Sequence, residues 1–435
     1  MKILIATGIY GGLGDIGGPA IYSESLAREL IKRGHKVTVV TYSSSYKSEI
    51  RNPPPKADQS LTEKSETNPK SEIQNSNFLL VRVQRELPLL LRYSFYKLTA
   101  LWHGWHADII YAQDSVSAGF PTMLANLILR KPFILKVIGD YAWEQYQNQK
   151  SKIKNQKLGM LPSSIDHNGL SLDDFLNEKP SGKIKAFWNI ERWVARRANK
   201  IIVPSNYLRG VVQKWGIQSA KIEVIYNSFD WSSLQNSISK VPVETPEATP
   251  HDTIYSVGRL VPWKGFDTLI EIMPEALKEK PNTELVIYGD GPMREGLRFK
   301  IKDLGLETHV KLLGRIDHAK LLEALQGERK FFVLNSSYEG MSHQILECQA
   351  LKIPCAVSRV GGNPEIVENE KTGLLFEYNN KEQIKNAIIR LLDEQALVEH
   401  IREKAYAQIK DRHDFNQMIE KTITVLQSTL SYYIV

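Results

Sequence analysis

Short apolar runs alternate along the chain with longer segments whose apolar positions recur every three or four residues. Residues 2–7, KILIAT, form an apolar run that reads as a buried strand, and the glycine-rich stretch GGLGDIGG follows. A helical pattern covers 20–33, Gly34 stops it, and 36–41 reads as a second strand. Strand, loop, helix and strand make a βαβ unit, which builds parallel sheets that bind ligands at the carboxyl ends of their strands. Further strands are expected at 109–112, 133–138, 200–204 and 221–225. The run VPVETPEATPHD, 241–252, is proline-rich and poor in apolar residues, and reads as a linker. A second set follows, with strands at 253–257, 284–288, 309–312, 330–334 and 354–358. Helices are expected at 266–278, 319–326 and 342–351, then a helical C-terminal region. The expected class is α/β, with two doubly wound Rossmann-like domains facing a central cleft. The expected divisions are 1–245, 253–415 and a helical segment 416–435 that returns to the N-terminal domain.

Two polar stretches, about 43–78 and 146–165, stand outside that alternation. They share a hexamer: KSEIRN at 47–52, KSEIQN at 70–75 and KSKIKN at 150–155. Too little apolar area is available there to offset ordering entropy, so mobile surface insertions are expected. The apolar stretch 87–102 is broken by Arg92 and Lys97, which excludes a bilayer span. It reads as an amphipathic helix, on a core or domain face in preference to a membrane surface.

With 435 residues the chain is about twice the size at which one core stops growing. Hydrophobic residues at 42% and charged residues at 24% exclude collagen-like, disulfide-stapled and mainly disordered chains. Two cysteines, Cys348 and Cys355, supply neither a disulfide framework nor a zinc cluster, so a cytoplasmic location is expected. The N-terminus MKILIATGIY lacks the apolar stretch and cleavage site of a signal peptide. A net charge of +7 is modest at this length, and the basic residues are scattered without a recognition module, so nucleic-acid binding is not expected.

Four stretches carry candidate chemistry. In SVGRLVPWKG, 256–265, Arg259 and Lys264 stand just beyond a strand end, five residues apart. A bidentate guanidinium and a point-charge ammonium suit a diphosphate. In NSSYEGMSHQILECQALKIP, 335–354, Glu339 lies in a loop beside Gly340, and Glu347 lies eight residues on, inside a helix. The backbone N–H groups of Met341 and Ser342 at that helix start form an anion site, and carboxylates there can accept hydrogen bonds from sugar hydroxyls. In SRVGGNPEIV, 358–367, two glycines permit close backbone approach and Glu365 falls in the first turn of a helix. In GGLGDIGGPAIY, 11–22, Gly17 and Gly18 precede a helix and can present N–H groups to a phosphate.

Together these stretches resemble the GT-B nucleotide-sugar glycosyltransferases of family 4, which retain anomeric configuration. Their C-terminal pattern is matched by Gly258-Arg259 with Lys264-Gly265, by Glu339 with Glu347, and by Gly361-Gly362 with Glu365. Pro204-Ser205 and IYNSFD at 225–230 are supporting matches. The resemblance implies that Arg259 and Lys264 hold the donor diphosphate, Glu339 the transferred sugar and Glu347 the ribose. Met341 and Ser342 N–H groups, with Gly340, would neutralise phosphate, and Gly17 and Gly18 would face it from the N-terminal domain. Many relatives carry a histidine after the fourth or fifth N-domain strand. This chain has Ile138 there, and Asp140 in LKVIGDYAWE is the nearest polar replacement, with helix capping as its other reading.

The expected partners are a UDP-, GDP- or ADP-linked sugar and a carbohydrate or lipid-linked acceptor, with peripheral contact at the inner face of a membrane. No cofactor or metal is expected, because no Asp-x-Asp occurs and the cation pair already supplies positive charge. A dinucleotide oxidoreductase is the competing class, but the strand KVTVVTYSSS ends without the acidic residue that binds an adenosine ribose. A phosphate-loop NTPase fails for want of G-x4-G-K-[ST]. A GT-B epimerase or phosphorylase would keep the fold and change the reaction. A non-catalytic binding protein would be expected to have lost part of the charged constellation, all of which is present.

Overall fold

The computed structural model describes residues 1–10, 18–43, 77–158, 171–178, 180–231, 252–327 and 329–434. Most of the expected linker 241–252, residues 44–76 of the first polar stretch and 159–165 of the second lie outside them. Among the described residues the strands are β1 (Lys2–Thr7), β2 (Lys36–Ser43), β3 (Phe78–Gln84), β4 (Ile109–Gln113), β5 (Phe133–Lys136), β6 (Lys200–Val203) and β7 (Ile222–Val224). A second series follows: β8 (Asp252–Val257), β9 (Thr283–Tyr288), β10 (Val310–Gly314), β11 (Lys330–Leu334), β12 (Cys355–Ser358) and β13 (Leu374–Phe376). The first sheet has the order β3-β2-β1-β4-β5-β6-β7 and the second β10-β9-β8-β11-β12-β13. The pairings within both sheets are parallel, as in β1 with β2 and β4 and β8 with β9 and β11. Two parallel α/β sheets with helical crossovers are the GT-B architecture.

Chain contacts define two compact units. One comprises 1–137, 190–202 and 423–435, and the other 138–189 and 203–422. In the first unit every residue of β4 and β5 is buried, as expected for parallel strands covered on both faces. Helix Gly18–Lys32 ends just before Gly34, whose φ of +79° and N–H bond to the carbonyl of Ile31 stop it. In the second unit the strand period of two sends alternate residues to two cores. Ile254, Leu285, Ile287 and Val333 join one, whereas Tyr255, Val257, Val286, Phe332 and Leu334 join the other. Each such fully buried aliphatic or aromatic side chain contributes roughly 1.5–3 kcal/mol.

The structure adds to the sequence reading at several places. Residues 146–158 of the second polar stretch continue helix Tyr141–Leu158. That helix is anchored by buried Ala142 and Trp143 in its first turn, despite its polar continuation. Strand β3 begins at Phe78, where the polar stretch ends, and β13 has only three residues, too short for a periodicity signal. The apolar pattern of 87–102 is a helix, Leu89–Gly104, whose buried face is the narrow set Tyr96, Ala100 and Gly104.

Candidate active site

The site lies within the second unit, at the carboxyl ends of the strands of its sheet. Beyond β8 the chain passes through Gly258-Arg259, and Leu260 N–H donates to the carbonyl of Asp290 at 3.0 Å. A 3-10 turn, Pro262–Lys264, then ends at Gly265, whose φ is +56°. A Cβ at Gly265 would fall on Asn335, whose Nδ2 donates to the Gly265 carbonyl at 3.0 Å. The loop carrying the two cations is therefore fixed at both ends, one by β9's exit and the other by β11's.

Lys264 Nζ forms an ion pair with Glu339 Oε1, in which the two side chains are only 14% and 12% exposed. Ser336 Oγ donates to the same carboxylate oxygen at 2.7 Å. Arg259 is more open; its guanidinium lies 5.3 Å from the centre of the Trp263 ring and 3.4 Å from Glu144 Oε2. Trp263, Trp143 and Tyr338 pack in sequence, with ring centres 5.8 and 5.0 Å apart. Two cations, two carboxylates and an aromatic wall thus meet in one place.

Glu144 went unread in the sequence, and its contribution is electrostatic. Desolvation in its half-enclosed position raises its carboxyl above the usual range, Asp140 adds to the rise, and Arg259 and Lys264 oppose it. Asp140 is fully buried and accepts from Trp143 N–H at 2.8 Å, so it caps helix Tyr141–Leu158. Burial, with Tyr207 and the carboxylates of Glu144, Asp140 and Glu339, pushes the Tyr338 phenol well above its ordinary value. Its hydroxyl is buried without a hydrogen-bond partner among the described residues.

The Glu339-Gly340 loop is clasped by backbone. A Cβ at Gly361, whose φ is +56°, would overlap the Glu339 carbonyl, and one at Gly362 would overlap that of Gly340. Gly362 N–H donates to the Glu339 carbonyl at 2.9 Å. Ser205 Oγ donates to the Gly340 carbonyl at 2.7 Å while accepting from Leu208 N–H at 3.1 Å, capping helix Asn206–Lys214. Asn227 Nδ2 donates to the Met341 carbonyl at 3.1 Å. The Pro204-Ser205 and IYNSFD stretches therefore act as supports of this loop.

Met341 is buried, and Ser342 caps helix His343–Ala350, which places their backbone at a helix N-terminus. Inside that helix Glu347 Oε1 lies 2.9 Å from Nε2 of His318, which follows the exit of β10. Burial acts to lower the His318 pKa, but the hydrogen bond and charge of Glu347, with Asp317, outweigh it and raise it overall. Glu365 stands apart from this cluster. Its two oxygens accept from the N–H groups of Tyr207 at 2.8 Å and Asn206 at 2.9 Å, at the start of helix Asn206–Lys214. Gly17 lies outside the described residues, and Gly18 opens helix Gly18–Lys32 in the first unit.

Comparison with known proteins places the fold and the family. The model of glycosyl transferases group 1 matches residues 238–408, and that of Glycosyltransferase Family 4 matches residues 16–232. The UDP-Gal:alpha-D-GlcNAc-diphosphoundecaprenol alpha-1,3-galactosyltransferase of Escherichia coli is 27% identical over 307 residues, covering 66% of this chain and 78% of that protein. A GDP-mannose-dependent monoacylated alpha-(1-6)-phosphatidylinositol monomannoside mannosyltransferase of Corynebacterium glutamicum is 30% identical, over 39% of this chain and 46% of its own length. The match thus spans under half of that second relative. The crystal structure of Anabaena Alr3699/HepE in complex with UDP and glucose superposes with a TM-score of 0.70 at 18% identity, covering 98% of this chain and all of that one. Fold and site together define a GT-B protein. The chain belongs to the glycosyltransferase family 4 type and is a nucleotide-sugar-dependent glycosyltransferase.

Proposed function

We propose that the protein is a retaining glycosyltransferase that moves a sugar from a nucleoside diphosphate donor to a hydroxyl of a glycan, lipid-linked or small-molecule acceptor without a metal ion. The reading is carried by the Lys264–Glu339 ion pair beside Arg259. It sets a diphosphate-binding pair of cations against a carboxylate suited to sugar hydroxyls. Arg259 and Lys264 take the donor diphosphate and stabilise the charge that develops as the bond from anomeric carbon to phosphate oxygen breaks. Glu339 holds the sugar, Glu347 the ribose, and the N–H groups at Met341 and Ser342 the phosphate. The acceptor oxygen attacks the face that the nucleotide leaves, and its proton passes to the departing phosphate. Asp140, buried as a cap, acts in this scheme by orienting Glu144 and Trp143.

UDP is the first choice of nucleotide. The E. coli relative is named for UDP-Gal and the Anabaena protein binds UDP, whereas the C. glutamicum relative is named for GDP-mannose. The E. coli and C. glutamicum names also favour a lipid-linked acceptor, and with it a cytoplasmic site of action at the membrane's inner face. Among the described residues no helix is long and apolar enough to cross a membrane. The test is thermal stability against UDP, GDP, ADP, NAD and NADP, with EDTA throughout. A rise with one diphosphate alone supports the reading; a rise only with NAD or NADP overturns it.

A further inference from the structure

Helix Leu89–Gly104 turns its apolar stripe outward. Leu91, Phe95, Leu98, Trp102 and Trp105 follow one another at alternating intervals of four and three, the spacing of a single helix face. All five are exposed, Trp102 at 74% and Trp105 at 65%, while Tyr96, Ala100 and Gly104 bury the opposite face. The neighbouring helix Gly119–Leu129 extends the patch with exposed Leu127 and Ile128. Leu98, Trp102, Trp105 and Ile128 line one groove of about 800 Å³. So much exposed apolar surface on one unit marks a contact site.

Charge selects the partner. From Leu87 to Ala107 and from Gly119 to Lys131 the chain carries Arg92, Lys97, Arg130 and Lys131 and no aspartate or glutamate. Arg92 turns inward over Tyr42 and Tyr93, which leaves Lys97, Arg130 and Lys131 as the cations of these two segments. A second copy docking here about a two-fold axis would bring like charges together. An anionic lipid surface meets both features: the stripe enters the boundary of head groups and acyl chains, tryptophans sit at that depth, and the cations meet lipid phosphates.

We infer that the face formed by helices Leu89–Gly104 and Gly119–Leu129 seats the protein on an anionic membrane surface. The inference deepens the lipid-linked form of the acceptor proposed above, and for its purpose rests on that reading.

The test uses the full chain with phosphatidylcholine vesicles, with and without phosphatidylglycerol, at low and high salt. Co-sedimentation and quenching of tryptophan fluorescence by brominated lipid are the readouts. Wild type should bind the anionic vesicles and lose them at high salt. The Trp102→Ser/Trp105→Ser variant should lose roughly tenfold in partitioning. The Lys97→Glu/Arg130→Glu variant should lose the preference for anionic lipid. The melting shift with UDP, measured on every variant, should stay at the wild-type value and shows that each is folded. Equal vesicle binding by wild type and variants, or none by wild type, overturns the inference. So does a wild-type dimer in sedimentation velocity that the tryptophan variant abolishes without any vesicle binding. If vesicle binding follows the stripe but no nucleoside diphosphate shifts the melting temperature, the membrane face stands and the donor assignment falls.

Discussion

The carboxylate of Glu144 stands 3.4 Å from the guanidinium of Arg259, so Arg259, like Lys264 beside Glu339, has an anionic partner. Arg259 is 56% and Glu144 33% exposed, which limits the pair to about 0–1 kcal/mol. Glu144→Gln should therefore tighten UDP binding by up to about fivefold. Because the Glu144 carboxyl is raised, it takes up a proton at a higher pH than an ordinary glutamate and then stops competing for Arg259. Wild-type affinity for UDP should rise as pH falls through that pKa, and in Glu144→Gln this component should vanish. Calorimetric titrations from mildly acidic to neutral pH read both effects. A collapse of kcat in Glu144→Gln with unchanged affinity would instead place Glu144 against the reacting sugar.

Lys264 differs from Arg259 in its enclosure. Removing a preorganised charge from a developing diphosphate costs roughly 100- to 1000-fold in kcat, so Lys264→Ala should fall in that range. It also strands Glu339, only 12% exposed, and should destabilise the fold by up to about 3 kcal/mol. Lys264→Met/Glu339→Gln removes both charges and should recover much of the melting temperature without activity. Melting curves and donor-hydrolysis rates on the two variants separate the roles, and wild-type rates in Arg259→Ala/Lys264→Ala would refute the site.

The two-sheet frame was legible because its strands are buried on both faces and read as apolar runs between helical segments. Eleven of its signals fell close to observed strands, whereas β3 was hidden at the edge of a polar stretch and β13 in three residues. The motif residues were legible as motifs because Arg259 and Lys264 closely follow β8, and Glu339 and Glu347 closely follow β11. Their partners were not. Glu144 is 115 residues from Arg259 and His318 is 29 from Glu347, and each meets its partner only through tertiary packing. In the segment 135–144 the family resemblance points to Asp140, whose carboxylate caps a helix, and passes over Glu144. Glu365 opens a helix beside two glycines, and its oxygens also serve the start of a different helix, which its own neighbourhood in the sequence does not show.

Gly361 and Gly34 offer a controlled comparison, since both adopt left-handed backbone, with φ of +56° and +79°. Nothing lies within 4 Å of a Cβ at Gly34, so Gly34→Ala pays only backbone strain, about 1–2 kcal/mol. At Gly361 the added carbon would overlap the carbonyl of Glu339, and the loop that carries the Glu339 carboxylate must move. Gly361→Ala should be less stable than Gly34→Ala in urea unfolding and should lose transfer activity disproportionately. Equal activity in the two variants would show that the position of Glu339 is not critical.

The His318–Glu347 pair predicts a pH signature at the proposed ribose end of the site. His318 has a pKa above its ordinary 6.5, because Glu347 and Asp317 outweigh the opposing effect of burial. A histidine whose folded pKa is raised adds stability below its unfolded pKa and loses it as pH rises through the folded value. The melting temperature of wild type relative to Glu347→Gln should therefore be highest at mildly acidic pH and shrink as pH climbs above 6.5. Ribose hydroxyls placed on Glu347 would compete with the imidazole, so saturating UDP should lower the His318 pKa in a proton–nitrogen NMR titration. His318→Gln should keep donor binding within a few-fold, while Glu347→Ala should weaken it by roughly tenfold or more, the loss of hydrogen bonds to a charged acceptor. If UDP leaves the His318 titration unmoved and Glu347→Ala binds UDP normally, Glu347 serves only to hold His318, and the ribose is held elsewhere.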